Sequence, residues 1–133
     1  EPNKPKIYMA GPLFNEGDTY SNKLNSDALR AKGFTTFLPQ EVIITDESSE
    51  LLIAACVYMD LKAIYTCDYL IANCNGLEMD SGTAAEIGIA YALNKKIYLY
   101  KSDVRRYLNN FVLGLAENKV YQTIQEIIEQ LEK

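Results

Sequence analysis

The sequence predicts an α/β fold: a single doubly wound parallel sheet of five strands in the order 2-1-3-4-5, with helices on both faces. Segments with strand-like and helix-like patterns alternate along the whole chain, which is typical of such sheets. The run at 69–73 is continuously apolar, as in strands that are buried on both faces. Right-handed crossovers then leave few arrangements of the strands. The length of 133 residues is that of one domain, so we expect a single domain over 1–133, with 1–5 as a flexible extension.

Each element follows from a local pattern. Five short segments are predicted to be strands: residues 6–10, 34–38, 69–73, 96–100 and, as a short edge strand, 119–121. Apolar residues near three-and-four spacing predict the helices between them: 18–32, 50–65, 83–93, a weak one over 105–115, and an amphipathic one over 123–133. Gly33 is a natural stop for the first helix.

Composition excludes several classes of function. The formal net charge is −5, and the only basic doublets are Lys95-Lys96 and Arg105-Arg106. A broad nucleic-acid surface needs clustered Lys and Arg, so duplex binding and a ligand with several phosphates are disfavoured. No apolar run is long enough for a transmembrane helix, and the polar N-terminus lacks the apolar core of a signal peptide.

Cysteine usage predicts a reducing compartment, the cytoplasm. The chain has three cysteines at unrelated spacings, no Cys-x-x-Cys and no histidine, so a zinc site is not expected. Cys67 and Cys74 flank the apolar run 69–73 and are predicted to be small buried hydrophobes. We expect no metal and no organic cofactor.

The segment DSGTAAEIG at residues 80–88 carries the most chemical information. It combines two carboxylates with glycines and hydroxyls at the start of the predicted third helix. Doubly wound sheets bind ligands beyond the carboxyl ends of their strands, at the switch point between the first and third strands. The loops at that point cover residues 11–18 and 75–82. The segment therefore falls where the fold places a site.

A purely structural interpretation competes with a functional one. Thr83 as N-cap with Glu86 at the third helical position forms a capping box, and Gly82 and Gly88 suit a turn and close helix–sheet packing. Three features favour function. Asp80 lies in the same loop as Glu86, Tyr8 on the first strand can present a phenol there, and the helix over 50–65 carries Asp60, although a solvated helix position also explains that residue.

Three motifs in order resemble the nucleoside 2-deoxyribosyltransferase family. They are KIYMAGP at 6–12, DL at 60–61, and D-x-G-T-x-x-E-x-G-x-A-x-A-L-N-K at 80–95, and the resemblance extends from residue 6 to about residue 103. It implies a flavodoxin-like fold. It also implies a cytoplasmic enzyme that moves 2-deoxyribose from one nucleobase to another through a covalent intermediate on a glutamate.

The resemblance assigns roles to individual residues. Glu86 matches the nucleophile, Tyr8 its hydrogen-bond donor, and Asp60 the carboxylate that manages the proton of the base. Asp80 matches the residue that holds the 5′-hydroxyl of the sugar, and Phe14 an aromatic residue against the base. The remaining candidates for substrate binding are glycines of the matched motifs and an asparagine: Gly11, Gly82 and Asn110.

The same resemblance implies a homo-oligomer, a dimer or a larger assembly, with shared active sites. A neighbouring subunit completes the site through an asparagine, for which Asn110 is the nearest candidate and Asn109 the alternative. Leu13 stands where some relatives have a second aromatic residue. Gln40 and Glu41 follow Pro39, where they are expected to face the base, and the chain ends without the tyrosine that some relatives insert into the site.

This chemistry explains why carboxylates are needed. Breaking a glycosidic C–N bond builds positive charge on the sugar, which a carboxylate stabilises and then captures, while an acid protonates the departing base. Glu86 near a helix N-terminus is expected to have its charged form favoured, with Asp80 opposing. Asp80 also favours a free 5′-hydroxyl over a phosphate, although Ser81 and Thr83 at a helix start could bind an anion.

Two other functions stay open. An N-hydrolase of 2′-deoxynucleosides or their 5′-monophosphates needs the same residues and differs in that water resolves the intermediate. A non-enzymatic sensor that binds a nucleoside-like ligand needs only the cleft. A flavin carrier is disfavoured, since the loop at residues 11–14 lacks Ser and Thr donors for a phosphate.

Overall fold

The computed structural model describes residues 4–13, 15–42, 50–76, 78–103 and 108–133. Five parallel strands form one sheet in the order β2-β1-β3-β4-β5, as predicted. The strands are β1 (Lys6–Ala10), β2 (Thr35–Phe37), β3 (Tyr69–Asn73), β4 (Lys96–Tyr100) and β5 (Val120–Tyr121). The bounds of β1, β3 and β4 agree with the prediction, whereas β2 and β5 are shorter.

Four α-helices of the described part connect the strands and a fifth follows β5, all in the predicted order. They are α1 (Glu16–Ala31), α2 (Glu50–Thr66), α3 (Ser81–Ala92), α4 (Asn110–Leu115) and α5 (Ile124–Leu131), with a short 3₁₀ turn at Pro39–Glu41. Helix α1 begins two residues earlier than predicted because Asn15 caps it by accepting from the amide of Asp18. It ends before Gly33, whose φ of +92° suits glycine, as predicted. Residues 105–107 of the predicted fourth helix lie outside the described part, and α4 begins only at Asn110.

Alternation along the strands divides the core between two faces of the sheet. In β1, Ile7 and Met9 pack on one face, with Leu29 of α1 and Ile127 of α5. We call it the α1/α5 face. Tyr8 and Ala10 pack on the opposite face, which is covered by α2, α3 and α4 and which we call the α2–α4 face. The phenol of Tyr8 therefore lies on the same side of the sheet as Glu86.

Helices α5 and α2 bury very different shares of their apolar residues. Helix α5 is amphipathic as predicted, with Ile124, Ile127 and Ile128 buried. In α2 only Ile64 is buried, so the apolar spacing over residues 50–65 does not mark a face buried within this chain. Its exposed large apolar side chains are Leu51, Ile53, Val57, Tyr58, Met59 and Tyr65.

Two further predictions concern single features. Cys67 and Cys74 are buried as predicted, and all three cysteines are free. No helix within the described ranges is both long and apolar enough to cross a bilayer.

Candidate active site

Two adjoining cavities open beyond the carboxyl ends of β1 and β3, at the switch point of the sheet. The carboxylate cavity, of about 200 Å³, is lined by Asp60, Asp80 and Glu86. The glutamine cavity, of about 340 Å³, is lined by Gln40 and again by Asp60. Three residues are common to both cavities, so the two form one cleft: Leu13, Pro39 and Asp60.

The start of α3 differs from the capping arrangement that the sequence pattern predicts. Asp80, not Thr83, is the N-cap: its Oδ2 accepts from the amide of Thr83 at 2.9 Å and from the Thr83 hydroxyl at 3.1 Å. The helix begins at Ser81, and Glu86 therefore lies beyond its first turn. The competing structural interpretation, a capping box of Thr83 with Glu86, is therefore wrong, because Asp80, an equally good capping residue three positions earlier, caps the helix.

Glu86 is held by a tyrosine on the sheet. The hydroxyl of Tyr8 donates to Glu86 Oε2 at 2.6 Å, and the Tyr8 ring stacks on Phe37 with the centroids 5.4 Å apart. Burial and the neighbouring Glu86 carboxylate raise the pKa of Tyr8 well above its ordinary value. Tyr8 therefore stays protonated and remains a hydrogen-bond donor to the carboxylate.

The environment of Glu86 favours its neutral form, contrary to the expectation from the helix terminus. Burial raises the pKa of Glu86 to about 7; the hydrogen bond from Tyr8 lowers it, and the charges of Asp60 and Asp80 raise it further. Helix-dipole effects fall off within the first turn, and Glu86 lies past that turn. Desolvation therefore outweighs the dipole.

Asp60 reaches the cleft from α2 and lines both cavities. Burial raises the pKa of Asp60, so it keeps a proton to higher pH than an exposed aspartate does. Two carboxyl groups whose pKa values are raised, beside a third on Asp80, suit an exchange of protons with a bound molecule. In the described ranges, no three His, Cys, Asp or Glu side chains are grouped closely enough to hold a metal ion.

The glycines of the matched motifs differ in what an added side chain would contact. A Cβ on Gly11 would lie 2.9 Å from Asn22 Oδ1 and 3.0 Å from Asn73 Cβ, so only glycine fits there. A Cβ on Gly82 would lie 3.2 Å from Asp80 Oδ2, which would disturb the cap. Gly88 is exposed, and a Cβ on it would have no neighbour within 4 Å among the described residues, so the packing interpretation of Gly88 was wrong.

Sequence reasoning missed a network of side-chain amides, with Asn22 and Asn73 buried, that adjoins the cleft-lining residues Gly11 and Gln40. Asn73 Nδ2 donates to Asn22 Oδ1 at 2.8 Å, and Asn22 Nδ2 donates to the main-chain oxygen of Pro12 at 3.0 Å. Asn22 also contacts Gln40 Oε1 at 3.4 Å, while Gln40 Nε2 donates to the main-chain oxygen of Thr19. The one available signal was the polar Asn73 at the end of an otherwise apolar strand.

Several expected residues are not in the cleft. Gln40 lines it, but Glu41 turns away and pairs with Arg30 at 3.0 Å. Asn110 is exposed in the first turn of α4, and Asn109 caps that helix by accepting from the amide of Phe111. Neither asparagine lines either cavity of its own chain. Phe14, the candidate aromatic residue against the base, lies outside the described residues.

Three solved structures illustrate the similarity. A conserved protein from Enterococcus faecalis V583 is 28% identical, with a TM-score of 0.83 over 96% of this chain and 97% of that one. A 2-deoxyribosyltransferase from Bacillus psychrosaccharolyticus is 25% identical, with a TM-score of 0.82 over 92% and 89%. A CMP N-glycosidase from Clostridium botulinum, at 23% identity and a TM-score of 0.65 over 96% and 99%, shares the fold.

The family profile described as nucleoside 2-deoxyribosyltransferase matches residues 7–131. No curated protein matches the chain. The profile covers nearly the whole sheet and each side chain that lines the carboxylate cavity. The chain therefore belongs to the nucleoside 2-deoxyribosyltransferase family.

Proposed function

We propose that the protein transfers the 2-deoxyribosyl group between nucleobases by a retaining double displacement, with Glu86 as the nucleophile. One observation carries the proposal. The Glu86 carboxylate is held by Tyr8 at 2.6 Å and lines a cavity together with two further carboxyl groups. Tyr8 occupies Oε2, which leaves Oε1 as the oxygen that attacks the sugar.

In the first half-reaction Glu86 Oε1 bonds to the anomeric carbon of the deoxynucleoside. The glycosidic C–N bond breaks, its electron pair goes to the base nitrogen, and Asp60 supplies the proton that the departing base needs. Because its pKa is raised, the Asp60 carboxyl stays protonated to higher pH than an exposed aspartate does, and it can therefore supply this proton. The products are a free base and a deoxyribosyl ester of Glu86.

In the second half-reaction the nitrogen of an acceptor base attacks the anomeric carbon of the ester. The C–O bond to Glu86 breaks, the carboxylate is restored, and Asp60 takes the proton that the acceptor loses. Tyr8 stabilises the returning carboxylate through its hydrogen bond. Each step inverts the anomeric carbon, so the transfer as a whole retains configuration.

The shape of the cleft supports a nucleoside rather than a nucleotide. The sugar fits the carboxylate cavity, with Asp80 at its 5′-hydroxyl, and the base fits the larger glutamine cavity. No Lys or Arg among the described residues lines either cavity, and three carboxylates would repel a phosphate. The amide of Thr83 at the helix start, which could hold an anion, is already occupied by Asp80.

An exchange assay tests the proposal. The protein is incubated with a 2′-deoxynucleoside and a different free base, and the products are followed by chromatography. We expect the exchanged nucleoside from the wild-type protein and none from Glu86→Ala. With the donor alone, intact-mass measurement should show one deoxyribosyl group on the chain, and peptide mapping should place it on Glu86. Absence of the exchanged nucleoside would overturn the proposal.

An N-hydrolase is the second candidate, since a CMP N-glycosidase shares the fold. Leu13 also supports it: this side chain lines both cavities and is 42% exposed, so it covers a bound base less than an aromatic ring would. Free deoxyribose or its 5-phosphate, formed without an acceptor base, would identify hydrolysis. Ligand binding without turnover, unchanged in Glu86→Gln, would identify a sensor instead.

We also propose that a second copy of the chain covers α2 and completes the site. The exposed apolar residues of α2 continue into a groove of about 440 Å³ beside the edge strand β2, lined by Phe37 and Met59. Burial of such a patch is the usual reason for its presence. Asn110 stands away from the cleft of its own chain, as expected of a residue that serves a neighbour.

Sedimentation of a charge variant on α2 tests this assembly. Val57 is 51% exposed in a single chain, and Val57→Lys should dissociate the assembly and lower transfer activity. Gln125→Lys, at an exposed position of α5, is the matched control and should leave both unchanged. A wild-type protein that sediments as a monomer would contradict the assembly.

Location and domain organisation complete the proposal. The three cysteines are free, which favours the cytoplasm as the compartment of action. The sheet and its helices use segments from β1 near the start of the chain to α5 near its end, so we propose one domain over residues 1–133.

A further inference from the structure

A cluster around the buried Lys101, outside the cleft, ties the loop after β3 to the loop after β4. We call it the loop clamp: Asn75, Gly76, Lys101, Ser102 and Asp103. The Lys101 side chain is 1% exposed, and its Nζ donates to the main-chain oxygens of Cys74 at 3.0 Å and Gly76 at 3.2 Å. A charged side chain is thus used to hold the backbone of a neighbouring loop.

Asp103 closes the clamp from the other side. Its Oδ1 lies 3.0 Å from Lys101 Nζ, and its Oδ2 accepts from the amide of Gly76 at 2.8 Å. Asn75 Oδ1 accepts from the amides of Ser102 and Asp103 at 2.8 and 3.1 Å. Gly76 has a φ of +115°, so the loop turns sharply at a residue that is held on both sides.

The chemistry of the ammonium group shows what the clamp does. The Lys101 ammonium donates to the main-chain oxygens of Cys74 and Gly76 and forms an ion pair with Asp103, so this buried charge is engaged with two loops of the protein itself. Its role is to hold protein, and what it holds is the loop that leads to Asp80. Asp80 Oδ2 accepts the hydrogen bonds that cap α3, and Asp80 Oδ1 is left to accept a hydrogen bond from a ligand.

We propose that Lys101 and Asp103 are positioning residues for the sugar: they fix the loop after β3 so that Asp80 Oδ1 meets the 5′-hydroxyl of a bound deoxyribose. This rests on the nucleoside binding of the proposed function. Recognition through a single oxygen is sensitive to where the loop enters α3. In catalysis, a displacement of about 1 Å can lower a rate by about 10²-fold. The clamp thereby acts through Asp80 without touching the substrate.

The test compares two ligands that differ in one hydroxyl. In a Glu86→Gln background, which blocks turnover, calorimetry measures the Kd of a 2′-deoxynucleoside and of its 5′-deoxy analogue. The affinity for the 2′-deoxynucleoside divided by the affinity for its 5′-deoxy analogue reports the contact to the 5′-hydroxyl alone. Asp80→Asn, which keeps a capping side chain, should lower the ratio and serves as the reference.

Lys101→Met should lower the same ratio by about tenfold, with a smaller change in the affinity of the 5′-deoxy analogue. That variant leaves the Asp103 carboxylate without its cation, so the double variant Lys101→Met/Asp103→Asn removes both charges and should lower the ratio too. Lys95→Met is the matched control. Lys95 also donates to a main-chain oxygen, that of Tyr65, but at the opposite end of β4, and its loss should leave the ratio unchanged.

An affinity ratio that stays at the wild-type value in a folded clamp variant would overturn the inference, and so would an equal loss for both ligands. The exchange assay is a separate readout. If the protein exchanges bases but Lys101→Met leaves the affinity ratio unchanged, the proposed function stands and this inference is contradicted. If Lys101→Met lowers the affinity ratio but the wild-type protein exchanges no bases, the positioning role stands and the proposed transfer is contradicted.

Discussion

The two faces of the sheet differ in how completely a single chain covers them. On the α1/α5 face, helix α5 begins with a full capping box between Thr123 and Glu126 and buries Ile124, Ile127 and Ile128. On the α2–α4 face, α2 buries only Ile64 and leaves large apolar side chains in contact with solvent. The closed face is built for stability, and the open face carries every carboxylate of the cleft.

The open face also carries groups that oppose folding. Glu86 is desolvated although its ordinary state at neutral pH is charged, and the charges of Asp60 and Asp80 oppose that charge further. Active sites collect such arrangements because a perturbed carboxyl is useful chemically. Substitutions on the two faces should therefore separate activity from stability.

The largest expected effect is on activity, from Glu86→Ala on the open face. Loss of the proposed nucleophile should lower the rate of transfer by at least about 10³-fold, which corresponds to about 4 kcal/mol. The free energy of unfolding should not fall, because a desolvated carboxyl is removed. Exchange kinetics and urea unfolding check the two parts, and a stable variant that keeps a tenth of its activity would contradict the assignment.

The next effect is on stability, from Ile127→Ala on the closed face. Ile127 is fully buried, and its truncation should lower the free energy of unfolding by about 2–5 kcal/mol through lost burial and a cavity. The KM and kcat of the protein that remains folded should stay close to wild type. Urea unfolding and kinetics at low temperature measure both, and a large change in KM would show that the faces are not independent.

Patterns predicted the closed face and much of the open one. Strands β1, β3 and β4 were predicted to the residue because each is a short apolar run between polar ends. The pairing of Tyr8 with Glu86 was predicted from the matched motifs, and strand alternation places both on one side of the sheet.

The remaining features depend on tertiary contacts that no local pattern encodes. Thr83 and Asp80 are both good caps, and only the three-dimensional course of the loop decides between them. The pKa of Glu86 follows burial, which the position along the helix does not reveal. Lys101 looks like a surface lysine in the sequence, and its burial arises from carbonyls in a loop 25 residues or more away.

A third prediction concerns the pH dependence of the free energy of unfolding, which we expect to follow Glu86 on the open face. Burial raises the pKa of Glu86 from 4.5 to about 7, so the folded chain binds this proton more tightly than the unfolded chain. The stabilising effect of the proton is complete below about pH 4.5 and is lost as the pH rises through about 7. The loss is on the order of 3 kcal/mol at most.

Comparison of wild type with Glu86→Gln isolates that loss. The free energy of unfolding of wild type minus that of Glu86→Gln should fall between pH 5 and pH 8, since the amide does not titrate. The same deprotonation should raise kcat/KM of wild type over this interval, because the proposed nucleophile attacks as a carboxylate. Urea titrations at the two pH values measure the first effect, and a pH-independent difference would contradict a raised pKa at Glu86.

The smallest expected effect is Gly88→Ala, at a position where the open face meets solvent. Gly88 lies inside α3, two residues after Glu86, and an added Cβ would meet no atom of the described residues within 4 Å. Alanine is favoured over glycine in a helix interior by about 1 kcal/mol, so the variant should be more stable by about that amount in a dilute, monomeric sample. In an assembled sample the gain should shrink if the second copy packs against α3, because the added methyl then occupies space that the partner needs. Urea unfolding at low and at high protein concentration compares the monomeric with the assembled sample. An equal gain in the free energy of unfolding at the two concentrations would place α3 outside the contact between copies.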